Sequence, residues 1–385
     1  MRPLRLLAVA TAALLLAGCS AATPTPTPTR SPAPETPAPA QTGAPPVYPT
    51  GETTVLATGL DVPWSILRIG DSTLLSYRDT GQIMELTVAG DLREAAVVPG
   101  VSAGGEGGLL GLAARTQNEQ RWIYAYLTAA DDNRIVRMPL TGSPGSFSLG
   151  DAEVVLDGLE KAGNHNGGRI AFGPDGMLYA TVGDAANGAA SQDPDSLNGK
   201  ILRMTPTGDV PQDNPFDGSL VYSLGHRNPQ GIAWDADGRL WSSEFGQNTW
   251  DELNLIEPGK NYGWPVVEGQ AGNADFVDPE YQWSTDEASP SGLTIVDNTL
   301  FMAALRGERL WGMLDGIHVP EGSQGLEGAV TASAYFEGEF GRIRDVAPGP
   351  DGTLWLITNN TDGRGSPRDG DDRLIEVTLA PLVEG

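Results

Sequence analysis

The sequence has little cysteine, which cross-links folds, and little histidine, which often takes part in catalysis. It has one cysteine and three histidines in 385 residues, and 50 acidic residues outnumber 24 lysines and arginines, for a formal net charge of −26. A single cysteine excludes an intramolecular disulfide. The shortage of positive charge argues against nucleic acid as a partner and against an electrostatic hold on anionic lipid, because both need a basic surface. A local cluster of arginines is therefore informative.

Long apolar runs are also absent. The one clear run extends from Leu6 to Leu16 after a basic start and is followed directly by Ala-Gly-Cys19. A run this short, closed by small residues, predicts an export signal over residues 1–19 rather than a membrane-spanning helix. Cys19 stands where a bacterial lipoprotein signal places the lipidated residue. We therefore expect an exported lipoprotein, anchored to the extracytoplasmic face of the membrane only through this N-terminal lipid.

Two composition changes divide the rest of the chain. Residues 20–50 are rich in proline, threonine and alanine and almost free of large apolar residues, which predicts a disordered, extended spacer. From residue 51 to 385 apolar and polar residues alternate among many glycines, with no second low-complexity break. This part is predicted to form one large domain.

Six similar units recur in this domain, each a turn followed by an apolar and aromatic run. Corresponding positions are about 49 to 62 residues apart, at Leu75, Tyr124, Tyr179, Trp241, Phe301 and Trp355. A polar loop and a second apolar segment follow most runs, which is the order of an inner strand, a hairpin and an outer strand. No amphipathic helix of convincing length is present. The pattern predicts an all-β, six-bladed β-propeller, since a β-sandwich would not explain six units at this spacing.

Several polar residues lie at or just after the predicted inner strands, where the loops of a propeller converge on its channel. They are Glu106, His165, Arg227, Asn228, Arg306, Arg342 and Arg344. Four arginines in so acidic a chain favour an anionic ligand with several carboxylates or phosphates, because guanidinium groups pair with such groups in a fork. The alternative is that each arginine pairs with a neighbouring acid such as Asp345.

His165 lies in the segment NHNGGR, immediately before a predicted strand. It is either a base at the mouth of a site or a turn residue; the following glycines would let the backbone approach a ligand closely. Asp184 in VGDAAN either orients this turn or caps a loop. We interpret His226 as structural and His318 as a surface turn residue.

Residues 244–264 combine carboxylates with glycine-rich turns that expose backbone carbonyls. Ca²⁺ binds such oxygens readily, although the spacing does not match an EF-hand loop. A solvated acidic loop is the alternative.

Eight motifs together resemble the soluble quinoprotein aldose dehydrogenases, which are grouped with glucose and sorbosone dehydrogenases and use pyrroloquinoline quinone and Ca²⁺ on a six-bladed propeller. The resemblance covers nearly all of residues 52 to 379. In chain order the motifs are LDVPWSI, EGGLLGLA, NHNGGRIAFGPDG, DSLNGKILRM, GHRNPQGIAW, DELNLIEPGKNYGWP, SPSGL and RIRDVAPGPDG.

The resemblance implies a role for each matching residue. His165 would be the general base that takes the proton of an aldose's anomeric hydroxyl, while hydride passes from C1 to the quinone and leaves a lactone. The cofactor would contact Glu106, which stands where relatives usually have glutamine, with His165, Arg227, Asn228, Arg306, Arg342 and Arg344. The carbonyls of Gly246 and Gln247 would hold one Ca²⁺, and Glu252 with the Tyr262 carbonyl a second.

One segment departs from the family pattern. Relatives tend to read Glu-His-Gly-Pro where this chain has Glu244-Phe245-Gly246-Gln247. Electrons would pass to an external acceptor, because the chain has no haem motif.

Two functions other than sugar oxidation stay open. The first alternative is a Ca²⁺-dependent propeller lactonase, which would need neither the arginines nor a quinone. The second is a non-catalytic cell-surface propeller that binds sugar or peptide.

Overall fold

The computed structural model describes residues 44–315 and 329–382. Residues 1–19 with Cys19, most of the expected spacer, and His318 lie outside this part of the chain. The described residues form twenty-five strands in six antiparallel sheets, which confirms the all-β, six-bladed propeller. The only α-helix in this part is the five-residue α1, Gly188–Gln192. A 3₁₀ turn covers Pro350–Gly352.

The first strand, β1 (Val47–Ala57), belongs to the last blade, and blade 1 begins with β2. Blade 1 contains β2 (Pro63–Ile69), β3 (Ser72–Tyr77), β4 (Gln82–Leu86) and β5 (Leu92–Val97). Blade 2 contains β6 (Leu109–Gln117), β7 (Gln120–Thr128), β8 (Asn133–Thr141), the short β9 (Ser148–Leu149) and β10 (Glu153–Leu159). Blade 3 contains β11 (Ile170–Phe172), β12 (Leu178–Val182), β13 (Lys200–Met204) and β14 (Val221–Leu224).

The other three blades follow the same order. Blade 4 contains β15 (Pro229–Trp234), β16 (Leu240–Glu244), β17 (Trp250–Ile256) and β18 (Tyr281–Ser284). Blade 5 contains β19 (Pro290–Val296), β20 (Thr299–Ala304), β21 (Arg309–Leu314) and β22 (Thr331–Tyr335). Blade 6 contains β23 (Ile343–Pro348), β24 (Leu354–Thr358), β25 (Leu374–Pro381) and, at its outer edge, β1.

The first strand of each sheet lies innermost. Contacts run from β2 to β6, β11, β15, β19, β23 and back to β2, which closes a ring around the channel. The six repeated apolar runs of the sequence fall in the next strand outward, for example Tyr179 in β12 and Trp355 in β24. The expectation that these runs are the inner strands is therefore wrong by one strand. Apart from the first three residues of β7, the second strand of each blade is buried between neighbouring sheets, so it carries the strongest apolar signal.

The N-terminal strand closes the ring by pairing with the C-terminal strand. Val47 of β1 pairs with Pro381 of β25, and the pairing continues to Ala57 opposite Leu374. The folded part therefore begins at Val47, inside residues 20–50, which were expected to be spacer. The sequence pattern did not indicate this strand for two reasons. Proline and a short polar stretch interrupt its apolar residues, and its partner strand lies more than 300 residues away in the sequence.

Apolar side chains fill the spaces between adjacent blades. Trp64 of blade 1 packs in one buried cluster with Tyr126 of blade 2 and Leu202 of blade 3. Such packing between sheets fixes the blades against one another and so fixes the loops at the ends of the channel.

None of the helices in residues 44–315 and 329–382 combines the length and apolar character needed to cross a bilayer.

Candidate active site

A cavity of about 480 Å³ opens at one end of the channel. It is formed by loops that precede the innermost strands and loops that follow the second strands. All seven cavity residues expected from the sequence line it: Glu106, His165, Arg227, Asn228, Arg306, Arg342 and Arg344. Its other lining residues are Asn164, Gln230, Phe245, Gly246, Ser289, Leu305 and Arg364.

His165 is held on several sides at the wall of this cavity. Its backbone φ of 58° is in the left-handed region, which is uncommon for a residue other than glycine. The His165 amide donates to Glu106 Oε2 at 2.9 Å, and its carbonyl accepts from the Ala185 amide at 3.1 Å. Nδ1 of its ring lies 2.7 Å from Asp184 Oδ1. Among the described residues only Nδ1 of the ring has a hydrogen-bond partner, so Nε2 is left for a ligand.

Asp184 is the residue that orients the imidazole. Its carboxylate is buried, and Oδ1 also accepts the Ala186 amide at 2.8 Å. Oδ2 accepts the indole N–H of Trp264, also at 2.8 Å. Both roles considered for Asp184 are therefore found together, since it orients His165 and caps its own loop. A carboxylate on Nδ1 places the imidazole proton there and leaves Nε2 as the acceptor.

The glycines after His165 serve packing within the protein. A Cβ on Gly167 would lie 2.5 Å from the Thr181 carbonyl oxygen, and one on Gly168 would lie 2.5 Å from a methyl group of Leu110. Both have positive φ, at 63° and 106°. The expectation that they let the backbone approach a ligand is therefore wrong, because neighbouring strands occupy that space.

Arg344 is a buried cation whose hydrogen-bond partners are neutral. Its guanidinium donates to Gln230 Oε1 at 2.9 Å, to Ser291 Oγ at 3.2 Å and to Asn359 Oδ1 at 3.4 Å. Its Nε is buried and has no partner. Burial lowers the pKa of Arg344 to about 9. A cation held this way, without a carboxylate, is a binding group for an anionic ligand.

Arg227 resembles Arg344 in having no carboxylate partner among the described residues. Its Nη1 donates to the carbonyls of Phe245 and Gly246 at 3.2 and 2.6 Å, while its buried Nε has no partner. The guanidinium carbon lies 5.4 Å from the centre of the Trp264 ring. Burial is the main cause that lowers the pKa of Arg227.

The other two predicted arginines do have acidic partners. Arg342 donates to Asp362 Oδ2 at 3.0 Å, although its Nε is buried without a partner. Arg306 pairs with Asp286 at the exposed rim. The ion-pair alternative therefore holds for these two, but the acid named for it, Asp345, pairs with Arg169 instead.

Glu106 contacts Arg364, a residue outside the predicted set of cavity residues. Nη1 of Arg364 donates to Glu106 Oε1 at 2.7 Å. Burial pushes the pKa of Glu106 upward, but hydrogen bonds from Arg364 and the His165 amide outweigh it, and the pKa lies below its usual range. Glu106 is therefore a carboxylate in a cavity that five arginines also line.

Three of the four expected metal ligands, Gly246, Glu252 and Tyr262, border a small space of about 10 Å³ together with Glu244. Gly246 also lines the large cavity, and its carbonyl accepts from Arg227, which borders both spaces. The fourth expected ligand, Gln247, is exposed and borders neither space. No group of three His, Cys, Asp or Glu in residues 44–315 and 329–382 is spaced to hold a metal.

Glu252 is nevertheless an unusual carboxyl group. Its burial, together with the charge of Glu244, raises its pKa to about 8. Asn254, which donates to Glu252 at 3.1 Å, has a buried Oδ1 with no partner. Buried carboxyl and amide oxygens of this kind suit a hard cation, with carbonyls such as that of Tyr262 completing the ligand set.

His226 has the structural role expected for it. Its ring is fully buried, with Nδ1 2.8 Å from Glu244 Oε2 and Nε2 2.8 Å from Ser223 Oγ. It also stacks on Tyr262, with ring centroids 4.8 Å apart. Both ring nitrogens are used inside the protein.

Among the cavity residues absent from the prediction, Gln230 had a usable signal. It follows Asn228 by two positions, so both side chains point to the same face where β15 begins. Phe245 was treated only as part of the acidic loop. Arg364 had no signal, because it lies in the irregular loop between β24 and β25, which matches none of the repeats.

Comparisons with known proteins find a matching family and similar proteins of known name or structure. Residues 60–368 match the family described as Glucose / Sorbosone dehydrogenase. The Escherichia coli aldose sugar dehydrogenase YliI is 31% identical over 351 residues, covering 82% of this chain and 91% of the relative.

Two solved structures are also similar. The aldose sugar dehydrogenase of Streptomyces coelicolor, in its form with bound pyrroloquinoline quinone, is 49% identical with a TM-score of 0.78, covering 86% of this chain and 100% of that one. A Thermus thermophilus protein described as a putative oxidoreductase (glucose dehydrogenase) is 41% identical with a TM-score of 0.76, covering 85% and 99%.

Proposed function

Because the chain belongs to the glucose and sorbosone dehydrogenase family, we propose that it oxidises the C1 hydroxyl of aldose sugars to the lactone at the cavity beside His165. It is an oxidoreductase that acts on sugars, and a quinoprotein. The observation that carries the proposal is the placement of His165 Nε2, free for a ligand, in the same cavity as Arg227 and Arg344, two arginines without carboxylate partners.

His165 would act as general base on the anomeric hydroxyl. Because Asp184 accepts from Nδ1, the lone pair of Nε2 can take the hydroxyl proton, and the buried carboxylate stabilises the imidazolium that forms. The His165 amide donates to Glu106 and the His165 carbonyl accepts from the Ala185 amide, and these two hydrogen bonds hold the residue in place during proton transfer. Proton removal makes C1 a better hydride donor.

Pyrroloquinoline quinone fits the residues of the cavity. Its carboxylates would be held by Arg227, Arg342 and Arg344, each of which has a buried Nε without a partner, and by Asn228. Arg306, at the rim, and Glu106 would border the group. When bound, the quinone supplies the two-electron oxidant that accepts the hydride.

Ca²⁺ is part of the same proposal. The carbonyls of Gly246 and Gln247 would hold one ion, which requires Arg227 to release the Gly246 carbonyl, and Glu252 with the Tyr262 carbonyl would hold another. The buried oxygens around Glu252 support the second assignment. Bound near the quinone, Ca²⁺ supplies Lewis-acid stabilisation of negative charge.

Export and anchoring through Cys19 are also proposed, with an external acceptor that takes the electrons. Substitution Cys19→Ala tests the anchor in cells: the protein should move from the membrane to the soluble extracytoplasmic fraction. Recovery of the variant with the membrane would contradict lipidation at Cys19.

The function is tested by adding pyrroloquinoline quinone and Ca²⁺ to the apo-protein and following dye reduction with a set of aldoses. His165→Ala should bind the quinone but lose turnover by about 10²-fold or more. Hydrolysis of lactones without quinone would favour the lactonase alternative. Quinone binding without reduction by any sugar would favour a non-catalytic propeller. Full activity of His165→Ala would show that His165 is not the general base.

A further inference from the structure

A continuous chain of hydrogen bonds runs around the cavity mouth, from a cofactor arginine to the base. Arg342 Nη2 donates to Asp362 Oδ2 at 3.0 Å, and the Arg364 amide donates to Asp362 Oδ1 at 2.9 Å. Arg364 Nη1 then donates to Glu106 Oε1 at 2.7 Å, and Glu106 Oε2 accepts the His165 amide at 2.9 Å. Asp362 and Arg364 lie in one loop of blade 6, between β24 and β25, whereas Glu106 precedes the first strand of blade 2.

Glu106 is the acidic residue among those that line the cavity, which also include five arginines. A carboxylate there is unfavourable for a polycarboxylate ligand, because like charges repel more strongly where water is excluded. The Glu106 side chain is only 20% exposed, so solvent screens it poorly. Unless another group compensates its charge, Glu106 weakens the attraction between the arginines and an anionic ligand.

We propose that Arg364 is a positioning residue that supplies the counter-charge for Glu106, so that Glu106 can hold the His165 backbone without repelling an anionic cofactor. The inference rests on the proposed function, because it concerns the cofactor of that same site. A purely stabilising role of the Arg364–Glu106 ion pair is a weaker explanation. The Arg364 side chain is 54% exposed, and ion pairs this exposed add little to stability.

The pairing predicts a pattern that neither residue alone would produce. Arg364→Gln leaves Glu106 charged and unpaired and should weaken binding of pyrroloquinoline quinone by about tenfold or more. Glu106→Gln removes the repulsion and keeps an acceptor for the His165 amide. The double variant should therefore bind within about threefold of the unmodified protein.

Binding is measured by titration calorimetry on the apo-protein with pyrroloquinoline quinone, and in parallel with citrate, a tricarboxylate without quinone chemistry. Arg368→Gln is the matched control, because Arg368 lies in the same loop and its side chain donates to the carbonyls of Gly338 and Glu339, away from the cavity. It should bind both probes as the unmodified protein does.

Each outcome decides the inference. Unchanged binding in Arg364→Gln overturns it, since Arg364 is then an exposed ion pair without effect on the ligand. A double variant as weak as Arg364→Gln also overturns it, since Arg364 then contacts the ligand directly. If the quinone fails to bind but citrate shows the predicted pattern, the counter-charge stands and the cofactor assignment falls. If neither probe binds the unmodified protein, both fall.

Discussion

The ring of His165 and the carboxylate of Asp184 are joined by a contact of 2.7 Å between Nδ1 and Oδ1, and Asp184 is also held by the indole of Trp264. His165 lies in the loop that joins blades 2 and 3, Asp184 in a loop within blade 3 and Trp264 in a loop within blade 4. The proposed catalytic geometry therefore depends on how these three blades pack together.

Substitution Asp184→Asn should lower kcat by about 10- to 100-fold with little change in quinone binding. The amide can donate its N–H₂ to Nδ1 and so favour the tautomer that protonates Nε2, which is then unable to take the substrate proton. Steady-state dye reduction with aldoses gives kcat, and calorimetry gives the cofactor Kd. Asp195→Asn, an exposed change in the same long loop, is the control and should behave as the unmodified protein. Equal kcat values for the two variants would show that Asp184 does not orient the base.

Substitution Trp264→Phe should destabilise the protein by about 1 to 2 kcal/mol and lower kcat by roughly threefold to tenfold. The change leaves Asp184 Oδ2 without its donor and removes the indole beside Arg227. Chemical denaturation measures the first effect and steady-state kinetics the second. Trp122→Phe is a suitable comparison, because Trp122 lies against Arg137 in blade 2 and does not line the cavity. If kcat falls equally in both variants, the Trp264 contact has no specific role.

The number of blades could be predicted from the sequence because each blade repeats one strongly apolar strand. Tyr179 and Trp355 occupy the same place in their blades, and that place is buried on both faces of the sheet. The position of that strand within the blade could not be predicted. Burial is greatest in the second strand, whereas the innermost strand, next to the channel, carries polar residues. The pairing of Val47 with Pro381 could not be predicted either, because it joins residues more than 300 positions apart in the sequence.

The cavity was predictable only where the repeat places residues at equivalent positions. Arg227 and Arg344 each lie within two residues of the start of an innermost strand, and the fold brings those positions together. Arg364 was not predictable, since its approach to Glu106 depends on the course of an irregular loop. Pairing of Arg342 with Asp362 rather than Asp345 depends on the same loop.

The Ca²⁺-free protein should lose stability as pH rises between about 5 and 8. Glu252 has its pKa raised from an ordinary 4.5 to about 8, so in this window the folded state binds more protons than the unfolded state, and stability falls with rising pH. Asp251, with burial raising its pKa to about 7, acts in the same direction. Ca²⁺ should therefore raise Tm more at pH 8 than at pH 5, because it stabilises the ionised carboxylate of Glu252.

Thermal unfolding with Ca²⁺ or with a chelator, at both pH values, measures this difference. Glu252→Gln should remove the part of the Ca²⁺ effect that depends on pH and flatten the decline of the Ca²⁺-free protein. An unchanged Ca²⁺ effect in Glu252→Gln would place the ion elsewhere.

Substitution Thr299→Val should destabilise the closure of the ring by about 2 kcal/mol without changing kcat of the folded protein. Thr299 Oγ1 accepts the Val47 amide at 2.9 Å and donates to the Val47 carbonyl at 2.8 Å, so valine leaves two backbone groups of a buried residue unpaired. These bonds join the N-terminal strand of blade 6 to blade 5. The denaturation midpoint should fall, and limited proteolysis should cut near residue 47 faster. Thr53→Val, an exposed change in β1, should shift stability by less than about 0.5 kcal/mol. Equal stability of the two variants would mean that the Thr299 contact does not hold the first strand.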